Sequence, residues 1–211
     1  MTLVAFDFDG TVSESEMIVL LGERAGVAEE IGEITARAMR GELSYAESLY
    51  RRAELLEGLP EQEATAAFEQ VSLRLGAADI IDRLNDAGHT TAILTGGFTP
   101  GVDAALTRDG TAVDVLIANE LPVADGELTG DADGPLIEET KDEALRSLCS
   151  ERGVDIENTV AVGDGANDLP MLNVAGLAVG FEPKDAVEPH CDEVVESMDE
   201  LSALFEREGL L

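Results

Sequence analysis

Two aspartates, Asp7 and Asp9, stand two positions apart at the end of the apolar run Leu3–Phe8. In a strand, residues i and i+2 face the same way, and the Gly10-Thr11 turn would leave both carboxylates at the carboxyl end of that strand. Open α/β sheets bind their ligands at this end. Two neighbouring carboxylates are unfavourable unless a cation or a proton lies between them. The pair therefore indicates a metal site, a nucleophile with an acid–base partner, or both, and a solvated acidic turn is the alternative.

Three later segments carry polar residues that could join this pair. Thr95, Gly96 and Gly97 follow one predicted strand, and Lys141 opens a predicted helix. Another predicted strand is followed by Asp164, Asn167 and Asp168. Because the carboxyl ends of parallel strands meet at one edge of a sheet, these residues could converge. Several carboxylates in one place require cations, and hard oxygen ligands beside a phosphate favour Mg²⁺ over Zn²⁺. A lysine, a hydroxyl and backbone amides exposed by glycine suit the oxygens of a phosphoryl group.

Predicted strands alternate with helices along most of the chain, with one helical interruption near the start. The strands are Leu3–Phe8, Thr90–Leu94, Val113–Ala118, Thr159–Val162, Leu177–Gly180 and Glu193–Val195, with a hairpin at Asp125-Gly126. The helices of the interruption are Glu16–Ala25, Glu29–Arg40, Tyr45–Leu56 and Glu61–Leu75. This pattern predicts an α/β fold, a Rossmann-like doubly wound parallel sheet with a small α-helical cap inserted after the first strand. Residues 1–13 and 76–211 would form the core, and residues 14–75 the cap.

The charge balance is extreme, with 45 acidic against 13 basic residues and a formal net charge of −32. Phosphate backbones would repel such a surface, so we expect no nucleic-acid partner. No apolar run approaches the roughly 18 residues of a membrane span, and the N-terminus lacks the pattern of a signal peptide. We therefore expect a soluble, cytoplasmic protein that contacts no membrane.

Four motifs together resemble those of the haloacid dehalogenase superfamily of phosphohydrolases. They are Asp7-Phe8-Asp9-Gly10-Thr11, Thr95-Gly96-Gly97, Lys141, and Gly163-Asp164-Gly165-Ala166-Asn167-Asp168. The helical segment directly after the first motif resembles the small C1 cap of that superfamily. Further matches, among them Gly96-Gly97-Phe98 and Leu128-Thr129-Gly130, narrow the resemblance to the phosphoserine phosphatase family and extend it over the whole chain.

The resemblance implies a role for each residue of the catalytic core. Asp7 would be the nucleophile that forms an aspartyl-phosphate, and Asp9 would protonate the leaving oxygen and then take a proton from water. Mg²⁺ would bind the Asp7 carboxylate, the backbone carbonyl of Asp9 and Asp164, with Asp168 supporting the metal site. Lys141 would neutralise developing charge. The other residues expected around the phosphate are Thr95, Gly96 and Asn167.

The resemblance also assigns substrate recognition to the cap. Glu16 would bind the substrate ammonium, and Arg52 would pair with the substrate carboxylate, a bidentate task that suits arginine. Met39 and Tyr45 would close over the site and exclude water. These roles imply a Mg²⁺-dependent phosphatase that hydrolyses O-phospho-L-serine, a small phosphorylated metabolite, in serine biosynthesis. The enzyme would be a monomer or a homodimer.

Two departures from the family pattern leave the substrate open. The first motif has Gly10 and the second has Thr95, where phosphoserine phosphatases commonly have serine. Another small phosphomonoester is therefore an alternative substrate, and an acceptor hydroxyl such as that of homoserine could take the phosphoryl group instead of water. A non-catalytic acidic binding protein would be expected to have a damaged motif, and none of the four motifs is damaged.

The acidic residues are spread along the chain, and only two lysines, Lys141 and Lys184, stand against eleven arginines. Even spread and lysine depletion favour a halophilic protein over one that binds a cationic partner. At molar salt the Debye length is about 3 Å, so repulsion among surface carboxylates is screened. We predict that the fold requires high salt, and that circular dichroism loses its native signal as salt is removed. A full native signal at low ionic strength, without added divalent metal, would contradict this prediction.

Overall fold

The computed structural model describes residues 1–138 and 140–211. In chain order its strands are β1 Leu3–Phe6, β2 Thr90–Phe98, β3 Val115–Asn119, β4 Val123–Ala124, β5 Glu127–Leu128, β6 Thr159–Gly163, β7 Leu177–Phe181 and β8 Glu193–Val195. Six of them form one sheet of parallel pairs in the order β3-β2-β1-β6-β7-β8, while β4 and β5 form a separate antiparallel hairpin. The connections reverse direction at β1, so a crevice is expected beyond its carboxyl end.

The helices separate into an insertion and a set that alternates with the strands. In chain order they are α1 Met17–Ala25, α2 Ala28–Met39, α3 Tyr45–Glu54, α4 Glu61–Phe68, α5 Ala77–Asp86, α6 Thr99–Asp109, α7 Lys141–Arg152, α8 Leu169–Leu172 and α9 Met198–Arg207. Helices α1 to α5 lie between β1 and β2, and the first four of them form the insertion. The predicted parallel α/β sheet with a helical insertion after its first strand is therefore confirmed. None of the helices within the described ranges is long and apolar enough to cross a membrane.

Side chains of the sheet alternate between two apolar clusters, as the two-residue period of a strand requires. Val4 and Phe6 of β1 pack into the larger cluster. Leu3 and Ala5 face the other way and pack into the second cluster, which includes Leu145 of α7. Both faces of the sheet are therefore covered, which is typical of a doubly wound parallel sheet.

The first strand ends at Phe6, two residues earlier than predicted. Asp7 and Asp9 therefore lie in the loop after the strand and not within it. The carbonyl of Phe8 closes this loop by accepting hydrogen bonds from the amides of Thr11 at 3.2 Å and Ser13 at 2.8 Å. The positions of the two aspartates thus depend on a hydrogen-bonded turn rather than on strand periodicity.

The last helix of the insertion, α4, ends well before the predicted residue 75. The chain that follows runs back to the sheet beside the segment that leaves it. Ser13 Oγ donates to the carbonyl of Ser72 at 2.9 Å, and the amide of Arg74 donates to the carbonyl of Val12 at 2.9 Å. Pairing between these two segments satisfies the backbone groups that another helical turn would have used.

The β4–β5 hairpin holds the insertion at a second place. It turns at Asp125 and Gly126, as predicted, with φ angles of 54° and 84°. Positive φ at both central residues is typical of a tight hairpin turn. The amide of Gly58 donates to the carbonyl of Leu128, and the amide of Leu128 donates to the carbonyl of Leu59, each at 2.9 Å.

Candidate active site

The loops after β1 and β6 meet at the carboxyl edge of the sheet and bring together Asp7, Asp164 and Asp168. Each contributes one carboxylate oxygen to a group whose members all lie within 4.8 Å of one another, and all three residues are buried. Gly10 permits this approach because its φ is 84° and a Cβ there would lie 3.0 Å from the Asp164 carboxylate oxygens. The first and last sequence motifs therefore meet in space.

Lys141, the first residue of α7, reaches into this carboxylate cluster. Its Nζ lies 2.6 Å from Asp7 Oδ1 and 2.6 Å from Asp168 Oδ1, and its side chain is 4% exposed. Burial alone would lower the pKa of Lys141, but Asp168 and Asp7 outweigh burial and raise this pKa. Burial and the charge of Asp168 raise the pKa of Asp7 to about 7, although Lys141 opposes the shift. Lys141 therefore stays charged and pairs with two of the three buried carboxylates.

Asp168 uses both carboxylate oxygens for contacts within the protein. Its Oδ1 pairs with Lys141, while Oδ2 accepts hydrogen bonds from the amides of Asp164 at 3.0 Å and Gly165 at 2.8 Å. A Cβ at Gly163 would lie 2.6 Å from the Asp168 carboxyl group, so the strand end has no room for a side chain. Asp168 is placed to hold the loop and the lysine rather than to offer a free oxygen.

Asp164 is held less tightly than Asp168. Its Oδ1 accepts a long hydrogen bond from Thr11 Oγ1 at 3.4 Å, and its Oδ2 pairs with Lys184 Nζ at 2.9 Å. Burial alone would lower the pKa of Lys184, but Asp164 raises it above its ordinary value. The carboxylates of Asp7 and Asp164 are thus the two that an incoming cation could bind.

Asp9 lies in a different environment from Asp7. Its Oδ1 is shielded from solvent and has no hydrogen-bond partner in the described part of the chain. Burial raises the pKa of Asp9 well above its ordinary value, and the charges of Glu16 and Asp7 raise it further. A hydrogen bond from the backbone amide of Met17 lowers this pKa, and Lys141 lowers it more weakly. The environment favours a protonated Asp9 that can donate its proton, whereas Asp7, two residues earlier, pairs with Lys141.

The carboxyl end of β2 supplies hydrogen-bond donors. Thr95 Oγ1 accepts a hydrogen bond from the amide of Gly97 at 2.9 Å, so the hydroxyl proton of Thr95 points elsewhere. The carbonyl of Gly96 accepts hydrogen bonds from Asn119 Nδ2 and from the Tyr45 hydroxyl, each at 3.1 Å. A Cβ at Gly96 would lie 1.9 Å from that hydroxyl. Glycine at this position is therefore what allows α3 of the insertion to approach the sheet edge.

Arg52 of α3 faces the same region without a carboxylate partner. Its Nε donates to the carbonyl of Ser48 at 3.2 Å, and it forms no ion pair with the described residues. Burial lowers the pKa of Arg52, while Tyr45, Glu16 and Asp9 act in the opposite direction. An unpaired, half-buried arginine is notable in a chain with 45 acidic residues. The guanidinium is available to an anionic ligand.

The remaining predicted residues lie at the margins of the site. Partial burial raises the pKa of Glu16, and nearby Lys184 lowers it. Asn167 is exposed in the turn after β6. Met39 is 67% exposed at the end of α2, so this structure does not bury it over the site. The roles of these residues stay predictions.

Sequence reasoning missed Asn119 and Lys184 and treated Tyr45 only as an apolar contact. Asn119 is fully buried, and its Oδ1 accepts a hydrogen bond from the amide of Leu136 at 3.0 Å while its Nδ2 holds the carbonyl of Gly96. It therefore connects the end of β2 to the segment that leads into α7. Asn119 ends β3 and Lys184 follows β7, so searching every strand end for polar residues would have found both.

Comparison with known proteins identifies the class of this protein and several similar members of that class. Residues 4–173 match the haloacid dehalogenase-like hydrolases, and the chain belongs to that family. The phosphoserine phosphatase of Halobacterium salinarum is 54% identical over 210 residues, which covers 100% of both chains. A solved phospho-aspartyl intermediate analogue of phosphoserine phosphatase has a TM-score of 0.89 at 36% identity, over 96% of this chain and 98% of its own. A solved structure of a substrate-bound phosphoserine phosphatase has a TM-score of 0.88 at 37% identity, over 96% of this chain and 96% of its own.

The carboxylate cluster is consistent with the metal site typical of this family. Its members supply only oxygen atoms, which hard divalent cations prefer. Asp7, Asp164 and Asp168 carry three negative charges when ionised, whereas Lys141 and Lys184 supply two positive charges in contact with them. The excess of negative charge and the loosely held Asp164 carboxylate both fit a bound cation.

The raised pKa of Asp7 predicts how the stability of the metal-free protein depends on pH. The pKa of Asp7 is near 3.8 in the unfolded chain and about 7 in the folded protein. Between these pH values the folded state therefore holds more protons than the unfolded state. The contribution of Asp7 to stability therefore falls as the pH rises towards 7 and stays constant above that pH. Between pH 5 and 8, in high salt with a chelator, wild type should lose roughly 2–4 kcal/mol of unfolding free energy relative to Asp7→Asn. The unfolding free energy would be measured by urea denaturation at each pH. The same dependence on pH in wild type and in Asp7→Asn would contradict this prediction.

Proposed function

We propose that this chain is a phosphoserine phosphatase, which hydrolyses O-phospho-L-serine to L-serine and inorganic phosphate. The full-length identity of 54% to the Halobacterium enzyme supports this substrate. The observation that carries the mechanism is the contrast between Asp7, which pairs with Lys141 at 2.6 Å, and Asp9, whose shielded oxygen has no partner among the residues described. Phosphoryl transfer through a covalent intermediate needs one carboxylate that attacks and one carboxyl group that donates a proton.

In the first step, a carboxylate oxygen of Asp7 attacks the phosphorus atom in line with the ester oxygen. The bond between phosphorus and the serine oxygen breaks, and Asp9 gives its proton to that oxygen. The products are L-serine and an aspartyl-phosphate at position 7. Lys141 fixes the orientation of the attacking carboxylate through the contact with its Oδ1.

In the second step, Asp9 acts as the base that it became by losing its proton. It takes a proton from a water molecule as the water oxygen attacks phosphorus, and the bond between phosphorus and the Asp7 oxygen breaks. Inorganic phosphate leaves, Asp7 is again a carboxylate and Asp9 is again protonated. The burial that raises the pKa of Asp9 favours this return to the acid form.

Donors at the strand ends would stabilise the phosphoryl group. The hydroxyl proton of Thr95 is free to point at a phosphate oxygen because its Oγ1 already accepts the Gly97 amide. The amide of Gly96 and the side chain of Asn167 would bind further oxygens. The Lys141 ammonium would oppose the charge that develops during transfer.

Mg²⁺ is the cofactor that we propose for this site. The Asp7 carboxylate, the Asp9 backbone carbonyl and the Asp164 carboxylate would hold it. Asp168 would support the site from behind, since both of its oxygens are already engaged. When bound, the ion would offset the repulsion between the nucleophile and the phosphate dianion.

The helical insertion would act as a cap over residues of the core, with residues 14–75 as the cap and residues 1–13 and 76–211 as the core. Glu16 would bind the substrate ammonium and Arg52 the substrate carboxylate. Tyr45 would close the site through its hydrogen bond to the Gly96 carbonyl, and Met39 would cover the site when the cap closes further. Closure of this kind excludes water other than the attacking molecule.

The substrate assignment predicts that Arg52→Ala discriminates between phosphoserine and a phosphate ester without a carboxylate. Loss of a charge-assisted contact should raise the KM for phosphoserine about 10- to 100-fold. The KM for an aryl phosphate should change little, since that substrate has no group for Arg52 to bind. The measurement is phosphate release from both substrates in Mg²⁺ and high salt.

Arg51→Ala is the matched control for this experiment. Arg51 is the next residue on α3, but it is exposed and pairs with Glu47 at 2.7 Å. Its replacement should leave both KM values unchanged. Equal effects of Arg52→Ala on the two substrates would remove Arg52 from carboxylate binding, and no phosphate release from phosphoserine by wild type would contradict the proposed function.

A further inference from the structure

Both lysines of the chain reach the carboxylate cluster, although eleven of its thirteen basic residues are arginine. Lys141 lies between Asp7 and Asp168, and Lys184 Nζ lies 2.9 Å from Asp164 Oδ2. Lysine offers a compact point charge on a flexible stem, whereas arginine offers a broad planar fork. The chain therefore departs from its general preference for arginine at the two positions that contact this cluster.

The backbone around Lys184 is fixed, while its side chain keeps freedom to move. The amide of Lys184 donates to the carbonyl of Asp164 at 3.0 Å, and its own carbonyl accepts from the amide of Val187 at 2.7 Å. Glu182, which precedes it, has a φ of 41° and pairs with Arg74 at 2.8 Å. The Lys184 side chain is nevertheless 47% exposed. The backbone of Lys184 is thus held in place, while its ammonium group can move from Asp164 to another acidic partner.

Asp164 depends on Lys184 for its positive neighbour. Asp7 and Asp168 share Lys141, and among the described residues the other hydrogen bond to the Asp164 carboxylate is the long one from Thr11 at 3.4 Å. A buried carboxylate without a cation is strongly unfavourable. The oxygen that Lys184 contacts is one of the two with which Asp164 could bind a metal ion.

We propose that Lys184 serves as the counter-ion of Asp164 in the metal-free enzyme and competes with the divalent ion for this carboxylate. The proposal rests on the metal centre of the proposed function. An arriving ion either displaces the ammonium or shares the carboxylate with it, and both cases weaken ion binding because the cations repel. Glu16, whose carboxylate also feels the charge of Lys184, offers the displaced ammonium a second acidic neighbour. Lys184 thereby sets the affinity for the ion and keeps the empty site intact.

The test measures Mn²⁺ affinity, with the paramagnetic resonance of free Mn²⁺ as the readout and without substrate. Lys184→Gln removes the charge but keeps a hydrogen-bond donor, and Lys184→Met removes both. Both variants should bind Mn²⁺ about five- to tenfold more tightly than wild type in high salt, as expected from loss of a half-exposed ion pair. Arg207→Gln is the control, because it removes an exposed cation that pairs with Glu193 on β8, and its affinity should stay within about twofold of wild type.

A role for Lys184 in merely holding the orientation of Asp164 gives a different pattern. It predicts weaker Mn²⁺ binding in the Met variant and unchanged binding in the Gln variant, and that result would overturn the proposal. Unchanged affinity in both variants would also overturn it. A wild type that binds no Mn²⁺ would instead contradict the metal centre itself, so the two failures are distinguishable.

The stability of the metal-free protein gives a second readout. Without metal, Lys184→Gln should unfold at a lower urea concentration than wild type, because Asp164 loses its counter-ion. Saturating Mn²⁺ should then raise the unfolding midpoint by more in this variant than in wild type. Equal metal-induced shifts in the two proteins would contradict the competition between ammonium and ion.

Discussion

The active site depends on one buried ion-pair group, in which the Lys141 ammonium lies 2.6 Å from both Asp7 and Asp168. The three side chains come from the loop after β1, the start of α7 and the loop after β6. Removing one partner from a buried charge group costs about 3–5 kcal/mol, because the remaining charges stay buried without compensation. The lysine therefore couples folding to function. The contacts that close the sheet edge are the contacts that would orient Asp7, the proposed nucleophile.

The same arrangement explains how two aspartates in one turn would take different parts in the proposed catalysis. Asp7 faces the lysine, which favours its charged form against the effect of burial. Asp9 Oδ1 is shielded and has no partner within residues 1–138 and 140–211, and burial favours the protonated form of Asp9. Environments that separate the pKa values of two neighbouring carboxyl groups distinguish a nucleophile from a general acid. The insertion brings Arg52 towards the site, and its Tyr45 hydroxyl donates a hydrogen bond to the Gly96 carbonyl.

The parallel sheet and the convergence of the four motifs could be predicted from sequence because strand ends of a parallel sheet share one edge. Finer features depend on tertiary contacts with no local signal. The early end of β1 follows from hydrogen bonds to the Phe8 carbonyl, and the early end of α4 follows from pairing between the two chain segments that leave and rejoin the sheet. Lys184 was visible as a rare lysine, but its contact with Asp164 requires β6 and β7 to be neighbours. The hydroxyl of Tyr45 gained a partner only when α3 packed over Gly96.

The central claim is that the Asp7 carboxylate accepts the phosphoryl group. The most direct test is acid quenching of the enzyme during turnover of phosphoserine, followed by mass spectrometry of its peptides. The account predicts one phosphoryl group on Asp7 in the wild type, and neither this adduct nor phosphate release in Asp7→Asn. A phosphoryl group on another residue, or an Asp7→Asn protein that hydrolyses phosphoserine at the wild-type rate, would contradict it.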